Sequence, residues 1–269
     1  MPSYNIILIG CGNMGGALLE SWYESNLIHT VQICDPSKQP SEIKGKNQLF
    51  HVKHLPELDF NGIDICVLAV KPQIMDSLCS DLIQYCDGSF PVLSIAAGKP
   101  LSYFENALKP NMPIIRTMPN TPAMVQKGFT ALIANTHTQD NHKKCADDLF
   151  AATGLTQWIE DEKQMDAVTA LSGSGPAYLF YIIEALTKAG IENGLDTDMA
   201  AIMARQTIIG ASALAYSQKD TKPEILRQNV TSKGGTTEAG LAVLMDGRFE
   251  KILTETVAAA KKRSQELAD

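Results

Sequence analysis

The sequence predicts an α/β fold: a doubly wound parallel sheet over residues 1–160, followed by an all-α C-terminal domain over residues 161–269. Three observations predict it. Short β-branched runs alternate with helical stretches through the first part, the pattern of a parallel sheet covered by helices. Beyond residue 160 the strand pattern stops and the chain reads as helical throughout. The length of 269 residues favours two domains, at roughly 100–200 residues each.

Strands are expected at 5–9, 31–34, 63–70, 92–95, 114–116, 130–134 and 157–159, and helices at 13–24, 75–85, 101–108 and 141–152. Pro and Gly punctuate the strand ends at Lys71-Pro72, Gly98-Lys99-Pro100 and Met118-Pro119-Asn120-Thr121-Pro122. In such sheets ligands bind just beyond the carboxyl ends of the strands, so a site is expected at these junctions.

In the second part, 177–189 is apolar on nearly every face, broken mainly by Glu184 and Lys188, an i,i+4 pair of favourable orientation. The stretch 199–216 is similar, with Arg205, Gln206, Thr207 and Ser212 as its few polar points. Helices apolar all round are buried on all sides. A domain of about 110 residues has trouble burying two of them, so a second subunit is expected to cover part; a compact monomeric bundle is the alternative.

Composition narrows the function. An apolar fraction of 45% and a charged fraction of 20% are ordinary for a globular protein. The net charge of −7 divides into −4 over 1–160 and −3 over 161–269, so neither part is basic and no nucleic-acid partner is expected. Cys11, Cys34, Cys66, Cys79, Cys86 and Cys145 form no CxxC pair, and the five histidines form no ligand spacing. Reduced thiols packed as small hydrophobes, and no metal, are expected. Residues 1–5 lack a basic n-region, Gly10 cuts the first apolar run short, and no run is long enough to span a membrane. A cytoplasmic protein without a membrane partner is expected.

Gly10-x-Gly12-x-x-Gly15 follows an apolar strand and opens a helix, the setting that the dinucleotide fingerprint of Rossmann-type sheets requires. Gly10 would make the turn, Gly12 would let a pyrophosphate approach, and Gly15 would let helix and strand pack closely. Asn13 and Met14 would point toward the phosphates or the nicotinamide side. Asp35 stands twenty residues after Gly15, where an acid normally holds the ribose 2′-OH of NAD. A turn-forming Asp before Pro36 explains it equally. Ser37 and Lys38 offer a hydroxyl and an ammonium to the 2′-phosphate of NADP, so NADPH or NADH stays open. If Asp35 holds the ribose, Asp35→Ala shifts preference toward NADPH.

Val70-Lys71-Pro72 ends the third long strand, and Lys71 either contacts the cofactor's ribose or phosphates or is a solvent-facing turn residue. Ala96, Ala97 and Gly98 are small and leave room for a flat ring. Asn120, in the proline-stiffened loop 116–122, suits the cofactor's amide. A plain structural loop is the alternative for each. Ser172-Gly173-Ser174-Gly175-Pro176 breaks the helical pattern, with Pro176 placed to start a helix; capping and a flexible segment beside the cofactor explain it equally.

Ser232-Lys233-Gly234-Gly235-Thr236-Thr237-Glu238 runs straight into an apolar helical stretch at 239–245. The two glycines let the backbone fold tightly, and the helix aims free N–H groups and a positive dipole end at whatever sits there. Such a turn can hold a small carboxylate and hydrogen-bond a reacting nitrogen or oxygen. It also reads as a cap, with Thr236 or Ser232 capping and Glu238 in the first turn; the two readings do not exclude each other. Apart from Lys233, no His, Lys or Tyr adjoins it as a proton donor. That disfavours alcohol dehydrogenation, which must move a proton on and off a hydroxyl. It suits reduction of an imine, which needs hydride and positioning.

With these residues in place, the chain resembles the pyrroline-5-carboxylate reductase family over essentially its whole length. The likeness runs through Gly10-Cys11-Gly12-Asn13-Met14-Gly15, Ala69-Val70-Lys71-Pro72, Ser94-Ile95-Ala96-Ala97-Gly98 and Arg116-Thr117-Met118-Pro119-Asn120-Thr121-Pro122. It continues through Leu171-Ser172-Gly173-Ser174-Gly175-Pro176-Ala177-Tyr178 and ends in Gly234-Gly235-Thr236-Thr237. The resemblance implies a Rossmann domain followed by a helical dimerisation domain that interlocks with its twin, often in a ring of dimers. It implies reduction of 1-pyrroline-5-carboxylate to L-proline with NADPH or NADH, the last step of proline biosynthesis. By the same carry-over, Ser232 and the N–H groups of Gly235 and Thr236 hold the substrate carboxylate, and Thr237 hydrogen-bonds the ring nitrogen. The nicotinamide then lies against Ala96, Ala97 and Asn120.

Two departures stand out. Many relatives read Ser-Pro-Gly-Gly where this chain has Ser232-Lys233-Gly234-Gly235, so Lys233 should loosen the turn slightly or add positive charge near the carboxylate. Many NADP-using relatives also lack an acid at position 35. Two other readings fit less well. A short β-hydroxyacid dehydrogenase wants a catalytic Lys on a helix at the start of the second domain, and Lys163 opens no matching motif. A catalytically silent nucleotide sensor would keep the glycine fingerprint and have no need of the 234–237 turn.

Overall fold

The computed structural model describes residues 2–37 and 49–267. Lys38, one of the expected cofactor contacts, lies outside the described residues. Among the described residues, eight strands form one sheet: β1 (Tyr4–Ile9), β2 (Ile28–Cys34), β3 (Leu49–Val52), β4 (Ile65–Leu68), β5 (Val92–Ser94), β6 (Ile114–Met118), β7 (Gly128–Ala134) and β8 (Gly154–Trp158). Their order is β3-β2-β1-β4-β5-β6-β7-β8. Every neighbouring pair is parallel except β6 and β7. The doubly wound parallel sheet expected from the sequence is observed, with one antiparallel pair at β6 and β7. Residues 119–127 are too few for a crossover, which takes about a dozen or more, so the chain turns back antiparallel.

Among the described residues, ten α-helices follow in chain order: α1 (Asn13–Glu24), α2 (Met75–Leu82), α3 (Leu101–Ala107), α4 (Asp140–Ala151), α5 (Met165–Val168), α6 (Gly175–Glu192), α7 (Thr197–Ser217), α8 (Pro223–Asn229), α9 (Thr236–Leu244) and α10 (Arg248–Glu266). Alternation along the strands sends Ile7, Ile9, Cys66 and Leu68 to one face of the sheet and Ile6, Leu8, Ile65 and Val67 to the other. Met75, Leu78 and Leu82 of α2 and Phe104 of α3 cover the first face. Leu18, Leu19 and Trp22 of α1 with Leu149 and Phe150 of α4 cover the second. The Trp22 indole N–H donates to the Leu149 carbonyl at 2.9 Å, so α1 and α4 are tied as well as packed. Burial on both faces is why these strands read as unbroken apolar runs.

The six cysteines are free and buried. Burial pushes the Cys66 thiol well above its ordinary pKa and those of Cys79 and Cys86 up to about 11. Neutral thiols of this kind are packing residues.

The chain divides into two compact units, Met1–Ser174 with Ala260–Asp269, and Gly175–Ala259. In the second unit α6 and α7 pack along one another across the short connection 193–196. They approach closely at Gly190, where a Cβ would stand 3.2 Å from the Cβ of Ala200. Asp196 starts α7 by accepting a hydrogen bond from the Met199 N–H at 2.9 Å. Both helices nonetheless keep large apolar side chains bare: Phe180 and Tyr181 are 61% and 69% exposed and Ile202 66%. Apolar surface of that extent marks an interaction face. Among the described residues, no helix is long and apolar enough to cross a membrane.

The turn from β1 into α1 is set by close backbone approach. Gly10 has φ +91°, and a Cβ there would stand 2.6 Å from the Ala69 carbonyl oxygen at the end of β4. A Cβ on Gly15 would overlap the Gly10 carbonyl oxygen. Gly12 instead faces open space, so packing does not demand a glycine there. Gly15→Ala is therefore expected to lower the melting temperature and dinucleotide affinity together. Gly12→Ala should stay within about 0.5 kcal/mol of wild-type stability while losing NADPH affinity. Melting curves with an NADPH titration separate the two, and wild-type NADPH binding by Gly12→Ala would show the open space to be unused.

Candidate active site

Gly10, Gly12, Asp35, Ser37, Val70 and Lys71 line one cleft of about 790 Å³. It opens at the carboxyl ends of β1, β2 and β4, where the strand order reverses between β1 and β4. The N-terminus of α1 has Gly12 as its N-cap, no side-chain cap and no acidic residue in its first turn. Asn13 and Met14 thus begin a helix whose positive end is left for an anion. Lys53 and His54 line the same cleft and were not singled out from the sequence. They follow β3, a four-residue strand absent from the expected elements; the run Leu49-Phe50-His51-Val52 was the available signal.

Asp35 is buried, and its carboxylate faces the protein. One oxygen accepts from the Cys11 N–H at 2.7 Å; the other accepts from the Ser37 N–H and hydroxyl, each at 2.8 Å. His51 Nε2 bonds the Asp35 carbonyl at 2.8 Å. The acid thus ties the glycine turn to the end of β2 and shapes the turn at Pro36. Pro72 opens a short 3₁₀ turn after Lys71.

The loop 95–100 after β5 is held along its length. The Ser94 hydroxyl oxygen accepts from the Ala96 N–H at 3.1 Å, and the Thr117 hydroxyl donates to the Ser94 carbonyl at 3.1 Å. At Gly98 a Cβ would stand 3.0 Å from the Leu267 carbonyl oxygen. At the far end Glu162 accepts from the Leu101 N–H at 2.8 Å and from Nη1 of Arg116 at 2.7 Å. Arg116 is buried, and Glu162 meets its charge.

Asn120 spends its amide on the protein. Its Nδ2 donates to the Ser172 carbonyl and hydroxyl at 3.2 and 3.0 Å, and its Oδ1 accepts from the Phe129 N–H at 2.9 Å. It thereby braces the start of β7 against Thr169–Gly173, a π-helical segment that the small-residue run 172–176 continues into α6. Such segments recur at functional sites.

The turn 232–238 lies in the unit Gly175–Ala259. The Gly235 N–H donates to the Ser232 carbonyl at 3.0 Å, closing a turn in which Gly234 has φ +71°. A turn of this kind needs glycine at its third residue. A Cβ on Gly235 would overlap the Ser232 hydroxyl, so the bare Cα lets that hydroxyl lie over the turn. Gly235 is the N-cap of α9, and neither Ser232 nor Thr236 caps it with a side chain. Ala239 makes the first helical bond, to the Gly235 carbonyl, which leaves the N–H groups of Thr236 and Thr237 in the first turn without a helical acceptor. Ser232, Gly235, Thr236 and Thr237 are thus together in one turn.

Sheet order, glycine turn and switch-point cleft define the first unit as that of a dinucleotide-dependent oxidoreductase. Residues 5–98 match the family described as NADP oxidoreductase coenzyme F420-dependent, and residues 162–267 match pyrroline-5-carboxylate reductase dimerisation. A pyrroline-5-carboxylate reductase of Pseudomonas aeruginosa is 36% identical over 271 residues, covering 100% of this chain and 98% of the relative. The chain belongs to the pyrroline-5-carboxylate reductase family. The solved reductase from Coxiella burnetii is 33% identical, with a TM-score of 0.92 and 99% of each chain covered. The Plasmodium falciparum pyrroline carboxylate reductase, solved with NADP bound, is 31% identical with a TM-score of 0.84 and 100% of each chain covered. The bare faces of α6 and α7 fall inside the matched dimerisation region.

Two outcomes follow from these two carboxylates. Asp35→Ala should weaken NADPH and NADH alike, by about ten- to a hundredfold, because it frees the glycine turn. A variant that lost NADH alone would return the acid to the ribose. Glu162→Ala strips the partner from buried Arg116 and should cost about 2–3 kcal/mol of stability, read by denaturant unfolding. An unchanged midpoint would mean that water replaces the carboxylate without loss.

Proposed function

We propose that this protein reduces 1-pyrroline-5-carboxylate to L-proline with NADPH or NADH, the last step of proline biosynthesis. The observation that carries the reading is the Ser232–Gly235 turn running into α9 with no side-chain cap and two threonines at its start. Reduced nicotinamide, when bound, supplies a hydride for the C=N carbon. Gly10, Gly12, Asn13, Met14 and Gly15 receive the pyrophosphate at the start of α1, with Asp35 holding the turn in shape. Ser37, Lys38 and Lys71 serve the ribose and phosphates, and Val70 and Pro72 wall that end. Ala96, Ala97 and Gly98 give the ring a flat platform kept in place from both sides, with Asn120 bracing the neighbouring loop.

The Ser232 hydroxyl and the N–H groups of Gly235 and Thr236 hold the substrate carboxylate, Gly235 sharing its N–H between the ligand and the Ser232 carbonyl. The Thr237 hydroxyl oxygen accepts from the protonated ring nitrogen and orients the C=N bond. When hydride adds to carbon, the π pair becomes the lone pair on nitrogen, so no side chain has to deliver a proton during the step. Residues 1–160 serve as the dinucleotide domain, and residues 161–269 as the dimerisation and substrate domain. The bare faces of α6 and α7 support a dimer, and we extend this to a ring of dimers in the cytoplasm. The net charge of −7 supports the lack of a nucleic-acid or membrane partner.

Thr237→Ala should lower kcat about ten- to a hundredfold, the worth of one hydrogen bond to a charged group, with NADPH affinity intact. Steady-state rates with 1-pyrroline-5-carboxylate and a separate NADPH titration check this. Full turnover in the variant would remove Thr237 from the reaction.

A further inference from the structure

Glu238 is the one acidic residue in the first turn of α9, and its side chain bends back past its own helix. Its Oε2 accepts from the Gly234 N–H at 2.6 Å. An acid at this position usually reaches the N–H of the N-cap residue, here Gly235. That N–H is already engaged by the Ser232 carbonyl, and Glu238 reaches one residue further.

The reach matters because of what the turn lacks. Gly234 sits at φ +71° with no side chain to pack. The second residue of such a turn is often proline, whose ring presets φ, and here it is Lys233. Nothing covalent holds this loop, so its shape rests on two hydrogen bonds: Gly235 N–H to Ser232, and Gly234 N–H to Glu238. We infer that Glu238 is a positioning residue, which acts through the Gly234 N–H to hold the turn in the form that receives a small carboxylate. The inference rests on the substrate reading above. The brace carries a cost, because its negative charge stands at the helix end where the substrate's carboxylate binds. A neutral acceptor at 238 should therefore brace the turn without that repulsion.

The test compares Glu238→Ala and Glu238→Gln with wild type in two measurements. In steady-state kinetics Glu238→Ala should raise KM for 1-pyrroline-5-carboxylate about tenfold, with kcat within about twofold and NADPH affinity unchanged. Glu238→Gln, which keeps an acceptor oxygen, should restore KM to the wild-type value or below. In hydrogen exchange the Gly234 amide should open at least tenfold faster in Glu238→Ala and stay protected in Glu238→Gln. Wild-type KM and Gly234 protection in Glu238→Ala would overturn the inference, as would a Glu238→Gln enzyme as impaired as Glu238→Ala. If wild type itself oxidises no NADPH with this substrate, the substrate reading fails, and the exchange rates alone decide the brace.

Discussion

The β1–α1 turn folds so closely, against the end of β4 at Gly10 and onto its own Gly10 carbonyl at Gly15, that neither glycine has room for a Cβ. That approach brings the start of α1, the end of β2 and the end of β4 around one cleft. Asp35 fastens the turn from the other side through the Cys11 N–H. Two sheet faces filled by Leu18, Trp22, Leu82 and Phe104 keep the strand ends from shifting, so the geometry of the turn is inherited from the core. The platform after β5 is held by the same logic at longer range, with buried Arg116 and Glu162 closing it at the start of α3.

The second unit works under a different constraint. Its helices are apolar on more sides than one chain can cover, and the region that matches the dimerisation family contains those bare faces. Within it the turn at 232–238 spends its backbone groups carefully. Gly234 and Gly235 are occupied by Glu238 and Ser232, while α9 begins without a side-chain cap. A helix end left open in this way is poised for an anion that arrives from outside.

Much of this was legible beforehand. Periodicity and Gly/Pro punctuation mark most strands and helices to within a few residues, because both faces of the sheet are buried and each strand reads as an apolar run. β3 escaped, being only four residues long and half-buried. The direction of β7 is carried by the length of the loop before it, not by its own residues. Site residues show the same division. Spacing locates Asp35 and Asn120, yet whether a side chain faces a ligand or its own backbone depends on neighbours such as Cys11 and Ser172 that no motif names. Lys53 and His54 belong to no pattern at all and reach the cleft only because β3 pairs beside β2. Glu238 could be marked as a first-turn acid, but its partner is decided by the conformation at Gly234.

The central claim is direct hydride transfer to the C=N carbon of a cyclic imino acid. The most direct measurement uses NADPH carrying deuterium at the transferred position of C4, with 1-pyrroline-5-carboxylate and the full-length protein, and locates the label in the product. The account predicts L-proline with one deuterium on the δ carbon, the ring carbon next to nitrogen and away from the carboxylate. Proline formed without deuterium, or no proline while the folded protein still binds NADPH, would contradict it.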